Sequence, residues 1–170
     1  MSISYNEKNQ FIRPFIEEVE KYVKGVHVLE QGAVEGDILD FEKKYKLVLP
    51  SQYKEFLKLF NGGELFATPA GTVFSRLVGS GVLENGIPYL EKNFENRWPE
   101  MPESFLIIAD TNYGDVICID IASTDKTDTR IVKWDHESGE VSAEWNSLID
   151  FLMSEMEIGA YLVDYDGNDL

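Results

Sequence analysis

The chain has 170 residues, with 15 Lys plus Arg against 31 Asp plus Glu, for a formal net charge of −16. That excess of carboxylates repels nucleic-acid phosphates and anionic lipid before contact, which excludes both as partners and leaves a basic or uncharged one. With 44% hydrophobic and 12% aromatic residues the chain is too apolar for disorder, and a single domain with its own core is expected at this length.

From the N-terminus, Met1 to Gln10 lacks the apolar run of a signal peptide, and no later stretch approaches the roughly 20 apolar residues that span a bilayer. Phe11, Ile12, Phe15, Ile16, Val19, Tyr22 and Val23 recur at helical spacing, with Pro14 in the first turn and Gly25 as the stop. Ile38, Leu39, Phe41, Glu42 and Tyr45 predict a second helix ending at Leu49-Pro50. A third follows over Ser51 to Phe60, with Asn61-Gly62-Gly63 as its left-handed cap.

The pattern then turns extended. Short strands are expected over Glu64–Ala67 and Thr72–Val78, separated by the turn Thr68-Pro69-Ala70-Gly71. Gly79, Gly81 and Gly86 bracket an irregular stretch, and a short helix is expected over Pro88–Asn93. Phe105–Ala109, Val116–Ile121 and Arg130–Trp134 read as better strands, with Asn112-Tyr113-Gly114-Asp115 as a turn and Ser123–Thr129 as a polar loop. Val116, Ile117, Ile119 and Ile121 are apolar on both parities, so that strand is expected to be covered on both faces. His136–Gly139 turns into a strand over Val141–Glu144, and Asn146 is placed as N-cap of a last helix carrying Leu148, Ile149, Leu152, Met153 and Met156. The succession predicts an α+β domain: helices on a mostly antiparallel sheet, closed by a C-terminal helix.

Charge is uneven along the chain: residues 1–99 hold 14 acids and 12 Lys or Arg, whereas residues 100–170 hold 17 acids and 3 bases. Catalytic patterns are missing. The single cysteine, Cys118, rules out an internal disulfide and a Cys-rich zinc site, and fits a soluble, cytoplasmic protein. His27 and His136 have no nucleophile placed near them, and Asp135-His136-Glu137 is a poor chelating run because adjacent residues of a hairpin face opposite ways. Asp110–Asp115 resembles the start of a calcium loop but has Ile121 where the bidentate Glu belongs, so it reads as a hairpin turn. Asp164–Leu170 reads as a frayed acidic end. No enzyme, cofactor or metal is expected.

The run Phe41-Glu42-Lys43-Lys44-Tyr45, Leu49-Pro50-Ser51-Gln52-Tyr53-Lys54-Glu55-Phe56-Leu57 and Phe60-Asn61-Gly62-Gly63 resembles the signature of the SUKH superfamily (Smi/Knr-type), and Phe105–Asp110, Ile119-Asp120 and Ile131–Glu137 resemble its later strands. The resemblance implies an N-terminal helix and connection over 1–33, the domain over 34–158 and an acidic tail over 159–170. It also implies a non-catalytic, protein-binding function. Bacterial members are mostly immunity proteins that neutralise a cognate toxin, often a nuclease; fungal relatives are regulators of cell-wall synthesis. Phe41, Leu49, Pro50, Tyr53, Phe56, Leu57, Asn61, Gly62 and Gly63 are expected to serve the fold. The candidate partner-binding residues are Asp125, Asp128, Asp135, Glu137, Glu140 and Glu144, an acidic face for a basic protein, although the same carboxylates would also serve solubility alone. Tyr113, Trp134 and Trp145 are candidate aromatic anchors beside them.

Overall fold

The computed structural model describes residues 2–67, 71–75, 77, 89–122, 127–128 and 130–170. A 3-10 turn at Gln10–Ile12 leads into α1 (Arg13–Val19), followed by β1 (Val28–Gln31), α2 (Glu35–Tyr45) and α3 (Ser51–Leu59). Then come β2 (Phe60–Leu65), β3 (Thr72–Phe74), a 3-10 helix at Leu90–Phe94, β4 (Phe105–Thr111), β5 (Val116–Asp120), β6 (Ile131–Asp135), β7 (Glu140–Trp145) and α4 (Leu148–Ala160). The strands form one sheet in the order of the chain, each antiparallel to the next, so β1 and β7 are its edges. The expected α+β class, antiparallel sheet and closing helix are borne out.

Alternation along the strands separates two apolar layers. Leu106, Ile108, Ile117, Ile119 and Ile131 join the helices in the larger core, with Phe15, Ile38, Tyr53, Phe56 and Phe151 fully buried there. Their neighbours Phe105, Ile107, Val116, Cys118, Val132 and Trp134 form a smaller layer on the opposite face, under Trp98 and Met101. This is why β5 is apolar on both parities, as expected. Burial also pushes the Cys118 thiol up to about 12, so it stays a protonated, inert core group.

Several expectations are corrected. The first helix does not reach Val23: α1 ends at Val19, and the backbone N–H of Val23 is instead donated to the Tyr165 carbonyl at 2.8 Å. The second ends at Tyr45, where Lys46 takes a left-handed conformation (φ 54°); the Glu42 carboxylate then receives the Leu49 N–H at 2.8 Å and Lys54 at 3.2 Å, tying α2 to the start of α3. Asn61-Gly62-Gly63 is not a helix cap. Phe60 is already extended (φ −140°, ψ 110°), and the three residues lie inside β2. Finally, Ser147 and not Asn146 caps α4, accepting the Asp150 N–H on its hydroxyl at 3.1 Å, because it is the residue with extended backbone ahead of the helix.

β1 has no counterpart among the sequence expectations, and Gly63 is what admits it. A Cβ built on Gly63 would lie 2.4 Å from the Val28 carbonyl oxygen and 2.8 Å from the Leu29 Cα, and its φ of 136° disfavours any L side chain. Asn61 Oδ1 meanwhile accepts the Leu77 N–H at 2.8 Å. Past β3, Asn93 takes the place of a strand partner for β4: it accepts the Ile107 N–H at 2.7 Å and donates to the Ile107 carbonyl at 3.0 Å, in a buried setting. The turn Thr68-Pro69-Ala70, Arg76, Val78, the glycine-bracketed stretch through Pro88, Ser123–Lys126 and Thr129 lie outside the described residues.

The C-terminus is not frayed. Val163 is buried and bridges Asp169, and the Asp164 carboxylate closes the loop by accepting from the backbone N–H groups of Asp166 (2.9 Å) and Asn168 (2.8 Å). Those bonds hold the Asp164 carboxyl below the usual carboxylate range.

Gly63→Ala is expected to destabilise the fold by about 3 kcal/mol, read as a lower denaturant midpoint at unchanged slope. Gly36→Ala, at a helical site with open space around it, should be neutral or stabilising by up to about 1 kcal/mol.

Candidate binding surface

The two hairpins β4–β5 and β6–β7 place their tips at the same end of the sheet, because successive turns of an antiparallel meander alternate between ends. At the first tip Gly114 has φ 95°, and the His136 ring from the second tip packs over it, 2.8 Å from where a Cβ would stand. Asp115 Oδ1 is 2.9 Å from His136 Nδ1 and also accepts the His136 backbone N–H at 3.2 Å. This bond raises the imidazole's affinity for its proton. Asp135 braces the second tip by accepting the Glu137 and Ser138 N–H groups at 2.8 and 3.0 Å, which lowers its own pKa. Glu137 and Glu140 stand exposed beside it, with Glu140 directly across from Asp135.

The six expected carboxylates therefore do not form one array. Asp135, Glu137 and Glu140 gather at the tip, joined by Asp115, a turn residue with no candidate binding role in the sequence. Glu144 lies at the far end of β7, about 13 Å along the edge. The register slips at Ser142, between the pairs Lys133↔Ala143 and Trp134↔Val141, so Glu144 opposes Val132 and faces the other side of the sheet from Glu140. It pairs with Arg130 at 3.0 Å, and Arg130 also reaches Asp120 at 3.2 Å. Asp128 is half-buried and accepts the Leu148 N–H at 3.3 Å at the start of α4; Asp125 lies outside the described residues. Among the anchors, Tyr113 is exposed with its hydroxyl 3.0 Å from Lys133 Nζ, Trp134 is buried in the smaller layer, and Trp145 is half-buried against Phe151.

Asp115, Asp135 and His136 hold ligand atoms within 4.8 Å of one another, a different set from the consecutive run Asp135-His136-Glu137. Asp115 Oδ1 and Asp135 Oδ1 accept backbone N–H groups, and His136 Nδ1 is bonded to Asp115. Elsewhere, a groove of about 720 Å³ runs between the N-terminal segment, α2 and α3, with Phe11, Ile38 and Leu39 among its lining. Its Lys58 is bound by Glu35 (3.1 Å) and Glu55 (2.9 Å). No helix among the described residues is long and apolar enough to cross a membrane.

The sheet is thus covered by helices on one face and by the segment around Trp98 and Met101 on the other, with a charged edge at β7. The family model described as SMI1 / KNR4 family (SUKH-1) matches residues 32–154, and the chain belongs to that family. The resemblance read from the Phe41–Gly63 signature is thus borne out. Members of this family are generally non-enzymatic immunity or regulatory domains. A crystal structure of a protein from Pseudomonas syringae pv. tomato shares the fold, with a TM-score of 0.60 at 16% identity over 85% of this chain and 98% of that one. No curated protein matches the sequence.

One half-buried carboxylate gives a pH test of the sheet. Asp110, between Val73 and Val116 across the strands, is pushed up to about 6 by burial, with Lys92 pulling the other way. Its folded pKa lies above its unfolded one, so this destabilisation is absent below pH ~4, develops as pH rises from ~4 to ~6 and is complete above ~6. Asp110→Asn is expected to be about 1 kcal/mol more stable than wild type at pH 8 and equal to it at pH 4, measured by denaturant unfolding at both.

Proposed function

We propose that the chain is an immunity protein that binds and neutralises a cognate bacterial toxin, and that the acidic tip and edge of the β6–β7 hairpin receive a basic surface of that toxin. The observation that carries this reading is the grouping of Asp115, Asp135, Glu137 and Glu140 at one braced tip. Two cations on β6 and just before it are already engaged: Arg130 by Asp120 and Glu144, and Lys133 by the Tyr113 hydroxyl. A nuclease must gather positive charge to hold phosphates, and fixed carboxylates offer that charge a substitute for nucleic acid while steering the encounter.

Two arms test it. Co-expression of the chain with the product of the neighbouring open reading frame is expected to rescue growth from that product's toxicity. The double variant Glu137→Lys/Glu140→Lys is expected to slow association with it by about tenfold at low salt, with a smaller change in dissociation. An unchanged association rate would overturn the acidic-edge assignment. Absence of rescue, with several weaker partners recovered instead, would favour a regulatory module of the cell-wall type.

A further inference from the structure

The segment after residue 154 lies beyond the family-matched region, yet it is folded and carries an apolar surface of its own. Tyr161 and Leu170 are each 76% exposed, and Ile158, Leu162, Tyr165 and Val23 are exposed beside them. Several of them are linked in space. Val23 donates its N–H to the Tyr165 carbonyl, Leu170 donates to the Leu162 carbonyl at 2.9 Å, and Ile158 lies in the last turn of α4 with Leu162 just past its end. Among the other described residues the exposed large apolar side chains are more spread along the chain, and isolated ones need no explanation.

The platform beneath is fixed by packing. Phe66 takes a left-handed backbone conformation (φ 49°), and its ring occupies the space above Gly159, 2.0 Å from where a Cβ would be. Tyr22 meets Phe66 edge-on at 5.3 Å, His27 at 4.8 Å and Tyr165 at 5.0 Å. His27 Nδ1 accepts the Phe66 N–H at 3.1 Å, and burial lowers the ring's pKa to about 4, so the imidazole is a neutral member of this cluster at neutral pH. With the Asp164-closed loop on top, Tyr165 and Leu170 are ordered before any partner arrives, which reduces the entropy lost on binding.

We propose that this patch, centred on Tyr161, Tyr165 and Leu170, is a second docking surface, separate from the β6–β7 edge, and that its occupant is a basic protein surface presenting arginine among apolar side chains. Charge selects the occupant. Residues 157–170 include Glu157, Asp164, Asp166 and Asp169 and no Lys or Arg, while on the Val23 side Lys21 is paired with Glu18 and Lys24 lies next to Val23 in the chain; carboxylates predominate, so a second copy of the chain would set mostly carboxylates against carboxylates, whereas guanidinium groups would find both carboxylates and tyrosine faces. Rigid exposed tyrosines with apolar neighbours are the residue types that dominate binding energy at protein interfaces. The inference rests on the chain being a protein binder, and not on the hairpin tip being the site.

The test is a titration of the isotope-labelled full chain with a synthetic peptide of alternating arginine and leucine, read residue by residue by NMR, beside a glutamate–leucine peptide of equal length. Shift changes centred on Ile158–Leu170 are expected with the arginine peptide alone, and Tyr161→Ala/Leu170→Ser is expected to weaken binding about tenfold. Changes confined to the 135–144 carboxylates, or equal binding of both peptides, would overturn the proposal. So would a wild-type dimer in sedimentation that the double variant dissolves. Because the wild-type map stands without the variant, misfolding of the variant does not rescue a negative result. A silent hairpin tip would count against the acidic edge and leave this patch intact.

Discussion

The fold depends on one close approach of backbone to backbone, at Gly63. Because that residue has no side chain, β1 can lie against β2 with the Val28 carbonyl where a Cβ would otherwise stand. Gly62 beside it also has positive φ (83°), and Asn61 holds Leu77 through its side-chain oxygen. These three residues let the chain leave α3 directly into a strand with no intervening loop, and pair that strand on both sides. Once β1 occupies one edge of the meander, β7 is the opposite edge.

That outcome decides where charge is free to act. Helices cover one face of the sheet and the Trp98–Phe105 segment the other, so apolar residues fill both layers and the acids of β4–β7 are pushed to tips, ends and edge. The slip at Ser142 then divides the edge acids between two sides. It also bends a strand whose open backbone groups would otherwise template aggregation, and Glu140 and Glu144 discourage such pairing by charge. Edge protection and attraction for a basic partner are compatible uses of the same carboxylates, since a partner supplies the countercharge that another copy lacks.

Much of the fold was legible in the sequence because its signals are local. Period-3.6 stripes marked α2, α3 and α4, the two-parity apolar run of Val116–Ile121 marked a strand buried on both faces, and Asn112–Asp115 marked a tight turn. What was missed is non-local. Val28–Gln31 is too short to advertise a strand and becomes one by meeting Gly63; Val23 leaves the helical pattern because Tyr165, more than a hundred residues away, takes its N–H. The site shows the same division. The acids of the β6–β7 hairpin could be named from composition, but their separation depends on a register slip at Ser142 and on which end of the sheet each turn occupies. Asp115 joins them through His136, and neither residue type in its turn pointed to the other.

The central claim is that protein recognition uses the sheet's acidic edge and the aromatic end of α4, with the α2–α3 signature serving as scaffold. Hydrogen-exchange mass spectrometry of the chain, alone and bound to the product of the neighbouring reading frame, tests it most directly. Slowed exchange over 135–144 and 158–170 on binding, with 41–63 unchanged, is the expected pattern. Protection confined to α2 and α3, with both acidic segments exchanging as in the free protein, would contradict it.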